Sequence, residues 1–402
     1  MLITPQSFDR EEREMMPIST RRTFVKQVAG LGALAGGLGG PRVARAADLR
    51  DLPPPPEHTI TKIGGSPRER GRQYGRAFKG PIAAFLDREI VSAFKKSGAT
   101  THDAMLRYAS ACGKEVRSFS PVIWNELEGL AEGAGLRVED ALLITLHEEL
   151  YHRGVLTSVD HCTIAAAGPP ETKDGHAYIG QTWDWMPSVY GLSNMLHWRR
   201  PEAEGPSVLS YAYPGLWVGA GLNSAGIGFC WTSANDREKI AGPRVGIPSY
   251  VLLTQLLYQE TLAAVVEEAR RAPQAGWFTF VLADARGGIV NIEGSPKDLA
   301  IEHFKGHLGR HNYGTSKMTG TPEGEPARAL PQGRHMDTLL AKAAGKIDRP
   351  TLQAALADHD FPVCNHGMGV DAMLFDLTAR EAHVTRGPAC SNRWKTFTFA
   401  DA

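Results

Sequence analysis

Apolar residues recur at every third or fourth position through the first third of the chain, and that period is helical. Over residues 67–95 they fall at Tyr74, Ala77, Phe78, Ile82, Phe85, Ile90 and Phe94, along one helical face. Helices are also expected from Met105 to Ala131 and from Val138 to Leu150. The last carries Glu139 and Asp140 in its first turn, where acids complement the helix dipole. After Cys162 the pattern changes. Short β-branched or aromatic runs alternate with Gly, Asn and Pro turns, at 162–167, 177–182, 195–199, 207–213, 217–222 and 227–233. A helical pair follows at 249–258 and 262–271, and strands resume at 277–284, 289–294 and 299–303. Helices are expected at 334–346 and 352–358, then strands at 372–376, 381–385 and 395–399. Strands, then helices, then strands predict stacked sheets with helices outside, an α+β fold. A short strand at 58–63 precedes all of this.

The first residues read differently. Ser19-Thr20-Arg21-Arg22-Thr23-Phe24-Val25-Lys26 has the order and spacing of a twin-arginine export signal. A Gly/Ala-rich run from Val28 to Gly40 follows, then Ala44-Arg45-Ala46, a small-x-small cleavage site. The run is too short and too glycine-rich to span a bilayer, so no stable membrane anchor is expected. We therefore read 1–46 as a signal peptide and 47–57, with Pro53-Pro54-Pro55-Pro56, as a stiff linker. Residues 58–161 form an α-rich segment and 162–402 the catalytic segment, both in one domain. A periplasmic or secreted location is expected, with the twin-arginine translocon as a partner during export.

Lys+Arg and Asp+Glu both number 44, so nothing implies nucleic acid or acidic lipid as a partner. The five cysteines, Cys112, Cys162, Cys230, Cys364 and Cys390, contain no C-x-x-C pair, which argues against a zinc ribbon or a thioredoxin-type site. An odd count in an oxidising compartment leaves at least one thiol free. Disulfide pairing and homo-oligomerisation stay open.

The chemistry concentrates at His161-Cys162 and Gly180-Gln181-Thr182-Trp183-Asp184-Trp185. A cysteine opens an apolar strand, and the hairpin partner ends in an acid between two tryptophans. A thiol attacks a carbonyl best as thiolate and needs a base. If the chain is cut before Cys162, the new α-amine supplies that base, with an unperturbed pKa of about 8. Asp184 is then placed to orient the amine.

Several blocks occur in order along the chain: Glu69-Arg70-Gly71-Arg72-Gln73-Tyr74-Gly75, Leu127-Glu128-Gly129-Leu130-Ala131-Glu132-Gly133-Ala134-Gly135 and Asp160-His161-Cys162-Thr163, then Gly221-Leu222-Asn223-Ser224-Ala225-Gly226, Ile292-Glu293-Gly294 and Arg310-His311-Asn312-Tyr313. With them the chain resembles the acyl-coenzyme A:6-aminopenicillanate acyltransferase-like family, the C45 peptidase group of N-terminal-nucleophile hydrolases. The resemblance implies a four-layer αββα sandwich, self-cleavage at His161-Cys162 and a thioester formed on Cys162. It implies a small-molecule acyl amide as substrate and no cofactor or metal. It also implies that Asn312 and Asn235 donate to the oxyanion, since amide NH2 groups donate without titrating. Two departures stand out. The family usually has Gly before the cysteine, where this chain has His161. Related bile-salt and penicillin acylases place Arg where Gln181 stands.

Alternatives remain at this stage. His303, His307 and His311 recur every four residues, which allows a metal-dependent hydrolase, although Gly306 and Gly309 spoil a helix there. His147-Glu148-Glu149-Leu150-Tyr151-His152 resembles H-E-x-x-H, but its second histidine is one position off the metal-binding face. A non-catalytic binding protein of the same fold is the third reading. Trp183, Trp185, Tyr190, Trp198, Tyr213 and Trp217 are candidates for an acyl pocket wall or for core packing.

Overall fold

A computed structural model describes residues 48–97, 100–151, 162–185, 187–233, 244–312, 314–319, 331–361 and 363–400. The expected signal peptide, the junction residue His161 and the candidate Asn235 lie outside the described residues.

The described strands form two sheets. One runs β1 (Ile60–Ile63), β4 (Asn194–Trp198), β5 (Val208–Ala212), β6 (Ala220–Asn223), β7 (Ile227–Ser233), β8 (Phe278–Asp284), β9 (Gly288–Gly294), β10 (Leu299–Lys305). The other runs β11 (His307–Arg310), β2 (Ile164–Ala167), β3 (Tyr178–Asp184), β12 (Gly369–Asp376), β13 (Glu381–Arg386), β14 (Trp394–Thr398). Neighbours pair antiparallel except β1 with β4. β2 and β3 pack face to face on β7 and β8. The Ser249–Leu257 and Leu262–Arg271 helices cover the outside of the first sheet, and Pro331–Lys342 and Arg349–Leu356 cover the outside of the second. The layers are therefore α, β, β, α. Strands covered on both faces have no solvent side, so β2, β3 and β12 are buried at every position. At the edge, β10 alternates in burial as a half-solvated strand does.

The N-terminal helices join this sandwich directly. One long helix is expected over 67–95, but it breaks after Ala77 and resumes at Lys79–Phe85. Pro81 explains the break: its ring would clash with the carbonyl four residues back, and it has no N–H to donate. The Pro67–Ala77 helix crosses Pro121–Ala134 with backbones in contact. A Cβ on Gly71 would lie 2.0 Å from the Glu126 carbonyl oxygen, and one on Gly129 2.0 Å from that of Arg68. Gly75 and Gly133 repeat the pattern one turn on, at 2.3 Å from Leu130 O and Arg72 O. The two glycine-rich blocks are thus reciprocal halves of one helix crossing.

That crossing is sealed by buried charge. Arg70 donates to Glu126 at 2.8 and 3.0 Å, and Glu126 also accepts from Trp198 Nε1 (3.0 Å) and Tyr258 Oη (2.8 Å). From the same helix the Tyr74 hydroxyl reaches into the sandwich. It donates toward Leu216 O (2.7 Å) and accepts from the N–H of Gly215, which has φ +92° (3.0 Å). The turn after Tyr213 is therefore held by a residue more than a hundred positions earlier.

The strand β11 is not expected from the sequence. Its Gly309 lies against the Pro331–Lys342 helix, where a Cβ would meet Asp337 N at 2.4 Å. The histidine repeat is resolved by this strand. His303 sits exposed on β10 in the first sheet, and the chain turns at Gly306 (φ +87°) and enters the second sheet at His307. His307 pairs with Glu171, while His311 is buried with Nδ1 3.5 Å from Thr163 Oγ1. The three rings do not share a face, and they are not among the groups of ligand atoms that converge in the described residues. The metal-dependent alternative on His303, His307 and His311 is therefore set aside.

Candidate active site

The candidate site lies where β2 begins. β2 and β3 pair with Ile164 opposite Gln181, and the pairing continues past the strand ends: Thr163 N donates to Thr182 Oγ1 and Thr182 N to Thr163 O, both at 3.0 Å. On the other side β11 pairs Arg310 with Ile164. Extending both registers by two residues puts Trp183 and Asn312 on either flank of Cys162.

Cys162 is buried, and the Asp184 main-chain N–H points at its sulfur. Burial pushes the thiol far above its ordinary value, and the charges of Asp184 and Glu148 push it further. In the intact chain this cysteine is a thiol at neutral pH. Asp184, 3 % exposed, closes β3 opposite Gly369 of β12, and a Cβ on Gly369 would come within 3.3 Å of Asp184 Oδ1. The glycine leaves room for the carboxylate.

Asn312 adopts a left-handed conformation at φ +51°, which asparagine tolerates better than most residues. Its Oδ1 accepts from Thr232 Oγ1 of the facing sheet at 3.2 Å. Its buried Nδ2 has no acceptor among the described residues. With its oxygen on Thr232, the amide presents Nδ2 as its donor. The structure brings Cys162, Asp184 and Asn312 together; Asn235 lies outside the described residues.

Gln181 has its own role. Its Oε1 accepts from the Trp231 main-chain N–H at 2.8 Å, tying β3 to β7 across the sandwich. Gln181 is thus a neutral cross-sheet link.

Aromatic rings form a circuit that includes Trp183, the cross-strand neighbour of the cysteine. Trp183 packs on Tyr213 and Trp231, Trp231 on Tyr250, Tyr250 on His147, His147 on Phe85, and Phe85 on Tyr213, closing a circuit. Burial, chiefly, and Asp371 raise the Tyr213 phenol; burial and Glu148 raise that of Tyr250. Cys162 acts on both, which sets the thiol beside this wall. Of the other candidates, Trp185 packs on His147, whereas Trp198 and Trp217 stack on each other and belong to the Arg70–Glu126 network. Behind Trp183, its β12 partner Asp371 accepts from Tyr211 Oη (2.7 Å) and Ser193 Oγ (2.5 Å). Burial alone would raise the Asp371 carboxyl; nearby His58, 3.8 Å away, with Arg386 and the Ser193 hydroxyl, outweighs it and holds it below its usual range.

Two buried acids complete the surroundings. Glu148 and Glu149 lie on the short His147–Tyr151 helix. Glu149 Oε1 accepts from Ser249 N (2.8 Å) and Ser249 Oγ (2.5 Å), and burial raises its carboxyl. As a failed H-E-x-x-H pattern these residues carry no signal in sequence; the influence of Glu148 on Cys162 comes from the fold. His147 Nδ1 contacts Ile144 O at 2.7 Å, and His152 lies outside the described residues.

No family model matches the chain. Among curated proteins it is similar to the acyl-coenzyme A:6-aminopenicillanic-acid-acyltransferase 40 kDa form of Emericella nidulans. The two are 23% identical over 238 residues, which is 58% of this chain and 63% of that protein. The alignment thus spans less than two thirds of the relative's length. Among solved structures it is similar to a variant of conjugated bile acid hydrolase from Clostridium perfringens (13% identity, 60% of this chain, 93% of that one, TM-score 0.44). It is also similar to penicillin V acylase from Agrobacterium tumefaciens (12% identity, 56% and 82%, TM-score 0.39). The sequence blocks and the curated relative thus point the same way: the chain is similar to acyl-coenzyme A:6-aminopenicillanate acyltransferase over part of its length.

Proposed function

We propose that this chain is an exported amide hydrolase or acyltransferase whose nucleophile is Cys162, freed as a new N-terminus by cleavage at His161-Cys162. The observation that carries the reading is the convergence at the start of β2: a buried thiol against Asp184, with an oriented Asn312 amide on the opposite flank. Burial and two acids hold the thiol protonated in the intact chain. A free α-amine on the same residue takes the thiol proton, and the ammonium it becomes offsets those acids, which gives the cut a purpose.

In the first act the Cys162 sulfur attacks the His161 carbonyl carbon, the C–N bond breaks, and the nitrogen leaves as an amine with the thiol's proton. Water then hydrolyses the thioester, leaving a carboxylate on His161 and a free thiol. In the second act the same sulfur attacks an external amide, the amine relays the proton to the leaving nitrogen, and Asn312 Nδ2 donates to the oxyanion. Water or an acceptor amine releases the acyl group. Acyl-coenzyme A is scarce outside the cytoplasm, which favours hydrolysis. The aromatic circuit beside the sulfur favours an apolar acyl group.

Intact-mass analysis tests this. Two fragments meeting at Cys162, with a substrate-derived thioester trapped on the second, are expected. Cys162→Ala abolishes both processing and activity. An active enzyme that remains one uncut chain overturns the mechanism, and an inactive uncut chain favours the binding-protein reading. Export is tested with Arg21→Lys together with Arg22→Lys, which should retain the protein in the cytoplasm; normal delivery would refute it.

A further inference from the structure

Away from the thiol of Cys162, four donor side chains from two loops converge. His359, Cys364 and His366 lie between the Arg349–Leu356 helix and β12, and Cys390 lies in the Ala389–Ser391 turn between β13 and β14. Their four ligand atoms all lie within 4.8 Å of one another. His366 Nε2 is 3.0 Å from His359 Nε2 and 3.2 Å from Cys390 Sγ. The ring centroids lie 4.8 Å apart, and it is their Nε2 atoms that make the close approach. Zinc–nitrogen and zinc–sulfur bonds of about 2.0 and 2.3 Å in a tetrahedron put N···N near ~3.3 Å and N···S near ~3.6 Å. The two separations at His366, 3.0 and 3.2 Å, fall a few tenths of an ångström short of these, and the remaining ones lie within 4.8 Å.

We propose that His359, Cys364, His366 and Cys390 form a tetrahedral Cys2His2 site that binds one Zn2+ ion and braces the loop beside Asp184. Four protein ligands leave no open position, so the site is structural and not catalytic. Binding converts two thiols to thiolates and releases two protons per zinc, with both imidazoles neutral. The outer ring nitrogen of His366 lies 3.8 Å from the Asp48 carboxylate, which itself accepts from Arg50.

The loop is already preset. Cys364 N donates to Asp358 O (2.8 Å), Gly369 N to Asn365 O (2.7 Å), and Leu49 N to His366 O (2.8 Å). It leads directly to Met368, whose carbonyl accepts from Trp185 N (2.8 Å), and to Gly369, which faces Asp184. A zinc ion here locks the chain entering β12, and with it the cradle of the candidate acid. The inference does not depend on the proposed activity, because its readout is metal binding.

The test uses the full chain, reduced and freed of metal, titrated with Co2+ and then Zn2+. One Co2+ per chain is expected, with thiolate-to-cobalt charge transfer and tetrahedral ligand-field absorption, displaced by one Zn2+ with release of two protons. His359→Asn and Cys390→Ser should each weaken Co2+ binding by at least ~100-fold, beyond the ~10–100-fold typical of outer partners. Cys162→Ala should leave binding intact. His359 is exposed, so its variant folds even if Cys364 is intolerant of change. Three results would overturn the site: no stoichiometric cobalt, cobalt binding insensitive to both variants, or a Cys364–Cys390 disulfide that persists when the protein is produced with zinc.

Discussion

Gly71→Ala separates packing from propensity, because the two predict opposite signs. In a helix interior alanine is favoured over glycine by about 1 kcal/mol. On propensity alone the substitution stabilises. The geometry says otherwise. The new Cβ would lie 2.0 Å from Glu126 O, 2.7 Å from Leu130 N and 2.9 Å from Glu126 C, all backbone atoms that cannot rotate away. The Pro67–Ala77 and Pro121–Ala134 helices must part by roughly 1 Å or more to reach ordinary contact at about 3.5 Å. Overpacking of this kind costs about 1–3 kcal/mol. Parting also strains the fully buried Arg70–Glu126 pair, and loss of one partner from such a pair costs about 3–5 kcal/mol. Weakening that pair in part and subtracting the propensity gain leaves a net loss of about 2–4 kcal/mol. Urea unfolding followed by tryptophan fluorescence measures it, on the Cys162→Ala background so that the chain stays whole. Gly80→Ala is the control: nothing lies within 4 Å of its Cβ, so that variant should be neutral or slightly stabilised. An unchanged or higher midpoint for Gly71→Ala, at unchanged denaturant slope, would refute the close-approach argument.

Asn312→Gly keeps the left-handed backbone while deleting the donor, so kcat should fall about 100–1000-fold with unfolding little changed; equal turnover would remove Asn312 from the oxyanion role. His161→Gly, assayed by the time course of chain cleavage, should process at least as fast as the parent; a slower cut would give the histidine an active part at the junction. Asp184→Asn should lower turnover through misorientation of the amine, with cleavage retained in part, as read by gel and steady-state rate. Acid stability has a defined sign. Burial chiefly lowers His197 and His383 to about 4, from an unfolded value of about 6.5. Between those values the unfolded chain holds protons that the native chain does not. Stability is therefore full above about pH 6.5 and declines toward pH 4, by roughly 1.4 kcal/mol per pH unit for each group. His383→Gln should flatten that slope by one proton in pH-dependent denaturation.

Most of the layer order was legible in the chain, because burial on both faces leaves unbroken apolar runs and half-burial leaves alternation. The 227–233 strand and the 262–271 helix emerge with the bounds the pattern predicts. Local turn chemistry also sufficed at the Cys162 hairpin, where β2 and β3 pair as neighbours. The candidate nucleophile and the acid are close in sequence, which is why a strand register alone brings them together.

The rest depends on contacts that no local pattern encodes. Gly309 reads as a helix breaker, yet what it permits is a helix lying on a strand, and only that packing separates His303 from His307. Gly71 and Gly129 are unremarkable until two helices cross. Glu148 acquires its influence on Cys162 by folding beside it. Cys364 and Cys390 are 26 residues apart, with two strands between them, and no spacing rule joins them to His359 and His366. The sequence by itself determined most element types, most of their order and the hairpin that pairs the Cys162 strand with the Asp184 strand, since these follow from periodicity and near-neighbour pairing. The tertiary structure decided which distant side chains meet, since burial free energy depends on the whole packed arrangement and not on any one segment.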